Sequence, residues 1–196
     1  MKLILASASP RRAGLLSEAG YEFDIQPAEI DESAITGASP SEIAQRLAVA
    51  KAETVAARFP DDMVLAADTV VCLGERLLGK PVDAADAREM LILLSGTTQV
   101  VITGVCIIHK NTNFQQTARA MSAVRMANLT DKQIDDYLAS GEWMGKAGGY
   151  GIQDNDPLVQ RTAGSHTNIV GLPMEITGRL LTQAGFSPKG EPKKDQ

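Results

Sequence analysis

The distribution of apolar and polar positions divides the chain into strand-like runs separated by amphipathic stretches. Residues 3–6, 21–26, 63–73, 98–108 and 114–126 are rich in branched and apolar side chains and predict strands. Gly74-Glu75 and Asn111 to Asn113 supply turn residues between consecutive strands. Ser39-Pro40-Ser41-Glu42 places a capping serine, a proline at the first helical position and a glutamate at the third, predicting a helix to about Phe59. Thr130 with Gln133 repeats the capping-box spacing for a helix through Ala139, and Asp83 opens one through Leu94. Further helices follow Pro10 and Pro173. Strands and helices interleaved in this way imply a mixed α/β domain in which hairpins supply adjacent antiparallel strands.

With 196 residues and 44% hydrophobic content, the chain has enough apolar surface for a single domain without disulfides. That domain is expected over residues 1–186, with a solvated tail over residues 187–196. A net charge of -5 and a sequence pI near 5.1 give no basic face for a nucleic-acid polymer, so such a partner is not expected. Cys72 and Cys106 lie in the apolar runs TVVCLG and TGVCII, without metal-ligand or redox spacing, and read as buried reduced thiols. The apolar run in MKLILASASPRR is too brief for a signal-peptide core, and no run approaches the ~20 residues that span a bilayer. A soluble cytoplasmic protein with no membrane partner is the expectation.

Against this background a few charged positions are out of place. In SASPRR, Ser9 caps a helix whose first residue is Pro10, so Arg11 and Arg12 occupy the first turn. The free N–H groups already make that end positive, which costs several tenths of a kcal/mol per cation unless an anion docks there. Two solvated arginines are the plain alternative. Lys51 sits in the i, i+4 row of Ile43, Leu47 and Val55, so it either snorkels to water or points into a site. Asp68 interrupts the apolar row of Val64, Ala66 and Val70; a buried carboxylate there needs a metal ion, a lysine or backbone donors. An exposed strand face would remove that need.

Lys80 falls at a turn in LGKP, and Asp31 and Glu32 form a carboxylate pair in AEIDES. Each reads first as a loop charge, although a carboxylate pair beside phosphate suits a hard cation. The run GKAGGYGIQD, residues 145–154, has four glycines within seven residues, too irregular for a Rossmann or P-loop pattern but permissive of close backbone approach. Nucleophilic catalysis is poorly supported. His109 and His166 are the two histidines, no G-x-S-x-G occurs and neither cysteine has an activating neighbour.

Taken in order, SASPRR, the DE of AEIDES, LAVAKA, AADTVV, LGKP, SG-x-x-x-VVITGV, KAGGYGIQ and NIVGLP resemble the Maf family of nucleotide pyrophosphatases, across residues 3 to about 180. The resemblance implies a single elongated α/β domain with a twisted mixed sheet flanked by helices and a cleft between two lobes, similar to the inosine-triphosphate pyrophosphatases. It implies that Ser7, Arg11, Arg12, Lys51 and Lys80 hold a triphosphate and that Glu32 and Asp68 serve a magnesium or manganese ion. Asp68 would then activate the attacking water.

Thr69 and Gln153, with Arg11, resemble the positions linked to base choice in the subgroup acting on dTTP and UTP, a house-cleaning activity. A homodimer is a further expectation from the family. Two departures bear on base choice: Gln99 stands where a histidine is usual, and Gly164-Ser165-His166 replaces the common GSY. The competing readings are a pyrophosphatase for methylated GTP or other modified purine nucleotides, and a nucleotide-binding regulator of septum formation.

Overall fold

The computed structural model describes residues 1–37, 39–151 and 158–189. Its elements are β1 (Leu3–Leu5), α1 (Pro10–Glu18), β2 (Asp24–Ile25), α2 (Pro40–Ala56), β3 (Met63–Leu73), β4 (Arg76–Leu78), α3 (Ala84–Leu94), β5 (Thr98–His109), β6 (Phe114–Met126), α4 (Asp131–Ser140), β7 (Val159–Ala163), α5 (His166–Val170) and α6 (Met174–Gln183). The strands form one mixed sheet in the order β2-β1-β3-β5-β6-β7, with β4 paired to β3 as well. β1 runs parallel to β2 and β3, whereas β3, β5 and β6 are successively antiparallel.

The long strands β3 and β5 carry the fold because their side chains alternate between two covered faces, while β6 leaves much of one face exposed. Leu65 and Ala67 of β3 with Val105 and Ile107 of β5 pack beneath Leu16 of α1 and Leu180 and Leu181 of α6. Val64, Ala66, Cys106 and Ile108 point the other way and pack against Ala48, Ala52 and Val55 of α2. Farther along the same strands, Val71, Val101 and Val124 meet Leu91 and Leu94 of α3 and Ile134 and Tyr137 of α4. One sheet thus supports two lobes, and the cleft lies between them.

Several expected elements are shorter or were not foreseen. The strand expected over residues 21–26 contracts to Asp24–Ile25, because Tyr21 is buried in the core beside α6 and Phe23 packs against the same cluster. The helix after Ser39 ends at Ala56, three residues short of Phe59. β7 and α5 were not anticipated from the sequence pattern, whereas β4 follows the turn expected at Gly74-Glu75 and pairs antiparallel with β3. β4 has two of its three residues exposed, and β7 exists by pairing with the edge of β6, Ala123 opposite Ala163.

Candidate active site

The cleft begins as a gap in the sheet. One edge of β3 is covered throughout by β5, but the other is shared: β1 pairs with Met63, Val64 and Leu65, and β4 with Val71, Cys72 and Leu73. Among the described residues, no strand covers residues 66–70 on that edge. A cavity of about 510 Å³ opens there, within the range that holds small ligands, and brings together Ser7, Arg11, Arg12, Glu32, Lys51, Asp68, Thr69 and Lys80.

Asp68 and Thr69 are consecutive on β3 and therefore serve opposite faces. Asp68 projects towards α2, where Lys51 lies on the helix's buried stripe with Ala44, Leu47, Ala48, Ala52 and Val55. Lys51 Nζ donates to Asp68 Oδ1 at 2.5 Å and contacts Glu32 Oε1 at 2.7 Å. Lys51 and Asp68 are both buried, whereas Glu32 reaches in from the rim with 45% of its side chain exposed. Burial alone would raise the Glu32 carboxyl. The hydrogen bond from Lys51 and the charges of Lys51, Lys80 and Arg12 outweigh it and hold Glu32 below the ordinary range. The close seating of α2 depends on Gly104, the register partner of Asp68 on β5, since a Cβ there would stand 2.4 Å from the Ala44 carbonyl oxygen.

On the other face Arg12 is anchored by neutral acceptors. Its Nε donates to the Gly171 carbonyl at 2.8 Å, one terminal nitrogen to Ser7 Oγ at 3.2 Å and the other to Thr69 Oγ1 at 3.1 Å. Thr69 in turn lies 2.9 Å from the hydroxyl of Thr103, which donates to the Asn168 carbonyl. Burial lowers the guanidinium's pKa, partly opposed by the Asp68 charge. Gly171 holds the acceptor in place at φ 121, a conformation that suits glycine. Ser9 caps α1 as expected, and no acidic residue follows in the first turn.

The remaining positions separate clearly. Asp31 caps its own 3-10 turn by accepting from the Ser33 backbone and hydroxyl, so of the carboxylate pair only Glu32 faces the cleft. Lys80 is exposed on the rim, and Gln153 lies outside the described residues. Gln99 is fully buried, donating to the Leu94 carbonyl and Thr97 hydroxyl and accepting from Tyr150 on the cavity wall. His166 is exposed at the start of α5, away from the cavity lining.

Three contributors went unnamed in the sequence reading: Thr103, Gly171 and Lys146. The threonine is a polar residue within an apolar strand, the same signal that drew notice to Asp68. The lysine sits in a run that reads as loop, and nothing in its spacing marks it as buried.

Five cations and two carboxylates converging on a gap in a mixed sheet define an α/β protein built to hold a polyanion. The fold is shared with a HAM1 protein from Coxiella burnetii, at a TM-score of 0.55 and 16% identity over 93% of this chain and 99% of that one. The model of the Maf-like protein family matches residues 2–184, and the chain belongs to that family. It is 47% identical to the dTTP/UTP pyrophosphatase of Brucella abortus (strain 2308), over 94% of this chain and 92% of that protein. The proteins of the same name from Cereibacter sphaeroides and Koribacter versatilis are 47% and 44% identical, over 94% of this chain and 96% and 95% of theirs.

Proposed function

We propose that this protein is a nucleoside triphosphate pyrophosphatase that hydrolyses dTTP and UTP to the monophosphate and pyrophosphate. The observation that carries the reading is the meeting of Arg11, Arg12, Lys51 and Lys80 with Asp68 in one cleft of suitable size. The activity carried in the names of relatives 43–47% identical over nearly the whole chain supports the choice of bases. We assign the work to the cytoplasm, on free nucleotide and as house-cleaning. No helix among the described residues is long and apolar enough to cross a membrane, and the net charge of -5 disfavours a polymer.

Hydrolysis at the α-phosphorus adds water to one side of the anhydride and releases pyrophosphate from the other, so placement and charge neutralisation carry most of the acceleration. Arg11, Lys51 and Lys80 hold the triphosphate oxygens, while Arg12, fixed through Ser7, Thr69 and Gly171, presents its remaining N–H groups. Asp68 orients the water and accepts its proton, with Lys51 setting the carboxylate's direction.

Among the described residues no cluster of three or more histidine, cysteine or acid side chains gathers for a metal. Two carboxylates meeting at one ammonium are nevertheless the oxygen donors that magnesium takes when substrate phosphates and water complete its shell. Glu32 and Asp68 would hold such a divalent ion, which would supply charge neutralisation on the phosphates. The deciding experiment incubates the purified protein with a nucleotide panel and manganese and separates the products. UMP or dTMP with pyrophosphate is expected; a nucleoside diphosphate with orthophosphate overturns the assignment.

A further inference from the structure

The cavity is chemically divided. The charges acting on Glu32 are those of Lys51, Lys80 and Arg12, which marks the end where a triphosphate is neutralised. The rest of the lining is largely apolar, with Val71, Val101, Ile169 and Tyr150 prominent among its residues. A nucleotide has one flat, weakly polar part to offer such a wall, and that is its base.

Lys146 belongs to this second region. It lies between Met144 and Ala147, both of which line the cavity, and only 8% of its side chain is exposed. Its ammonium rests against the backbone of Gly151, where an added Cβ would stand 2.9 Å from Nζ and 3.0 Å from Cδ and Cε. The Glu142 carboxylate is 4.0 Å from Nζ and itself largely exposed. The loop is pinned from behind, because Gly148 N donates to the Gly79 carbonyl and Gly148 packs against Val71. The lysine is thus held on a fixed wall, with its stem buried and its head at the cavity.

We propose that Lys146 is a base-reading residue: its ammonium donates to the 4-carbonyl of uracil or thymine. This rests on the dTTP and UTP reading given above. An ammonium has N–H donors and no acceptor. It can therefore satisfy the carbonyl oxygens of uracil and thymine but not the exocyclic amine that cytosine carries in place of one of them. Facing cytosine it would leave two donors opposed in a buried place, which penalises the wrong base as well as favouring the right one.

The test compares the full-length protein with Lys146→Met and Lys146→Gln, measuring kcat/KM for UTP, dTTP and CTP and inhibition by inorganic triphosphate. Lys146→Met should lose about 10- to 100-fold on UTP and dTTP and no more than about 3-fold on CTP, the scale of one charge-assisted hydrogen bond. Lys146→Gln, whose amide both donates and accepts, should narrow the gap between UTP and CTP from both sides. Inhibition by triphosphate should be unchanged in both variants.

Equal losses on all three nucleotides, or weaker triphosphate inhibition, would make Lys146 a phosphate ligand and overturn the proposal. Unchanged kinetics would overturn it too, and so would failure of both variants to fold, which would make the lysine structural. A wild-type protein that hydrolyses neither UTP nor dTTP would instead refute the underlying reading, before any variant is compared.

Discussion

At the scale of single residues, the triad of Lys51, Asp68 and Glu32 is asymmetric, and that asymmetry is testable. Lys51 is the common partner of both acids and lies on the buried stripe of α2. Lys51→Met leaves Asp68 buried without its cation and should cost roughly 3–5 kcal/mol of stability, read by denaturant titration. Asp68→Asn leaves Lys51 paired with Glu32, so its stability loss should be clearly smaller, while turnover falls at least ~100-fold for want of a base. Near-normal turnover in folded Asp68→Asn would remove the aspartate from the chemistry.

Glu32 makes a further prediction with a definite sign. Its carboxyl is held below the ordinary glutamate value of 4.5, so its stabilising contribution is present above that value and is lost as pH falls through the depressed one. Urea midpoints of wild type and Glu32→Gln should therefore differ above about pH 5 and converge in more acid solution. A difference that widens on acidification would contradict the assignment.

At the scale of elements, α1 treats its two arginines differently. The helix start gives both the same unfavourable sign, and from sequence alone both are expected to burden the empty protein equally. Arg12, however, spends three donors on Ser7, Thr69 and Gly171 and ties α1 to β3 and to the end of α5. Arg12→Gln should consequently lower the melting temperature without ligand. Arg11→Gln should leave it unchanged or slightly higher while weakening nucleotide binding by roughly 1.5–3 kcal/mol. Equal melting temperatures for the two variants would refute the distinction.

What the sequence disclosed follows the same division between local and distant causes. The start of α2, the capping box of α4, the turn at Asn113 and the long strands β3, β5 and β6 are set by neighbours along the chain, and all are legible there. β7 and the contraction of β2 depend on which edge or core lies nearby, and no local pattern encodes that. The site behaves likewise. Lys51 and Asp68 are conspicuous as misplaced charges 17 residues apart, but their meeting requires α2 to lie close on the sheet at Gly104. Lys146 has no such local oddity, since its burial comes from the packing of its loop against Val71 and Gly79.

At the scale of the whole molecule, the cleft is a place where two lobes share one sheet. β3, β5 and β6 run unbroken from the core beneath α1, α2 and α6 to the core beneath α3 and α4. Neither lobe keeps its sheet if the other melts, so the chain should unfold as a single cooperative unit in spite of its separate core clusters. The cleft is lined from both lobes, by Arg11, Arg12, Lys51 and Asp68 and by Lys80 and Lys146, so a ligand filling it would bridge them. Its binding energy should then shift the entire transition. A non-hydrolysable UTP analogue with manganese, at a hundred times its Kd, contributes about 2.7 kcal/mol to the folded state. For a chain of this length that corresponds to roughly 5–11 °C in Tm. Calorimetry should show one peak that moves by this amount and stays single. Two peaks, of which the analogue moves only one, would mean that the lobes are independent and that the cleft binds nucleotide through one of them alone.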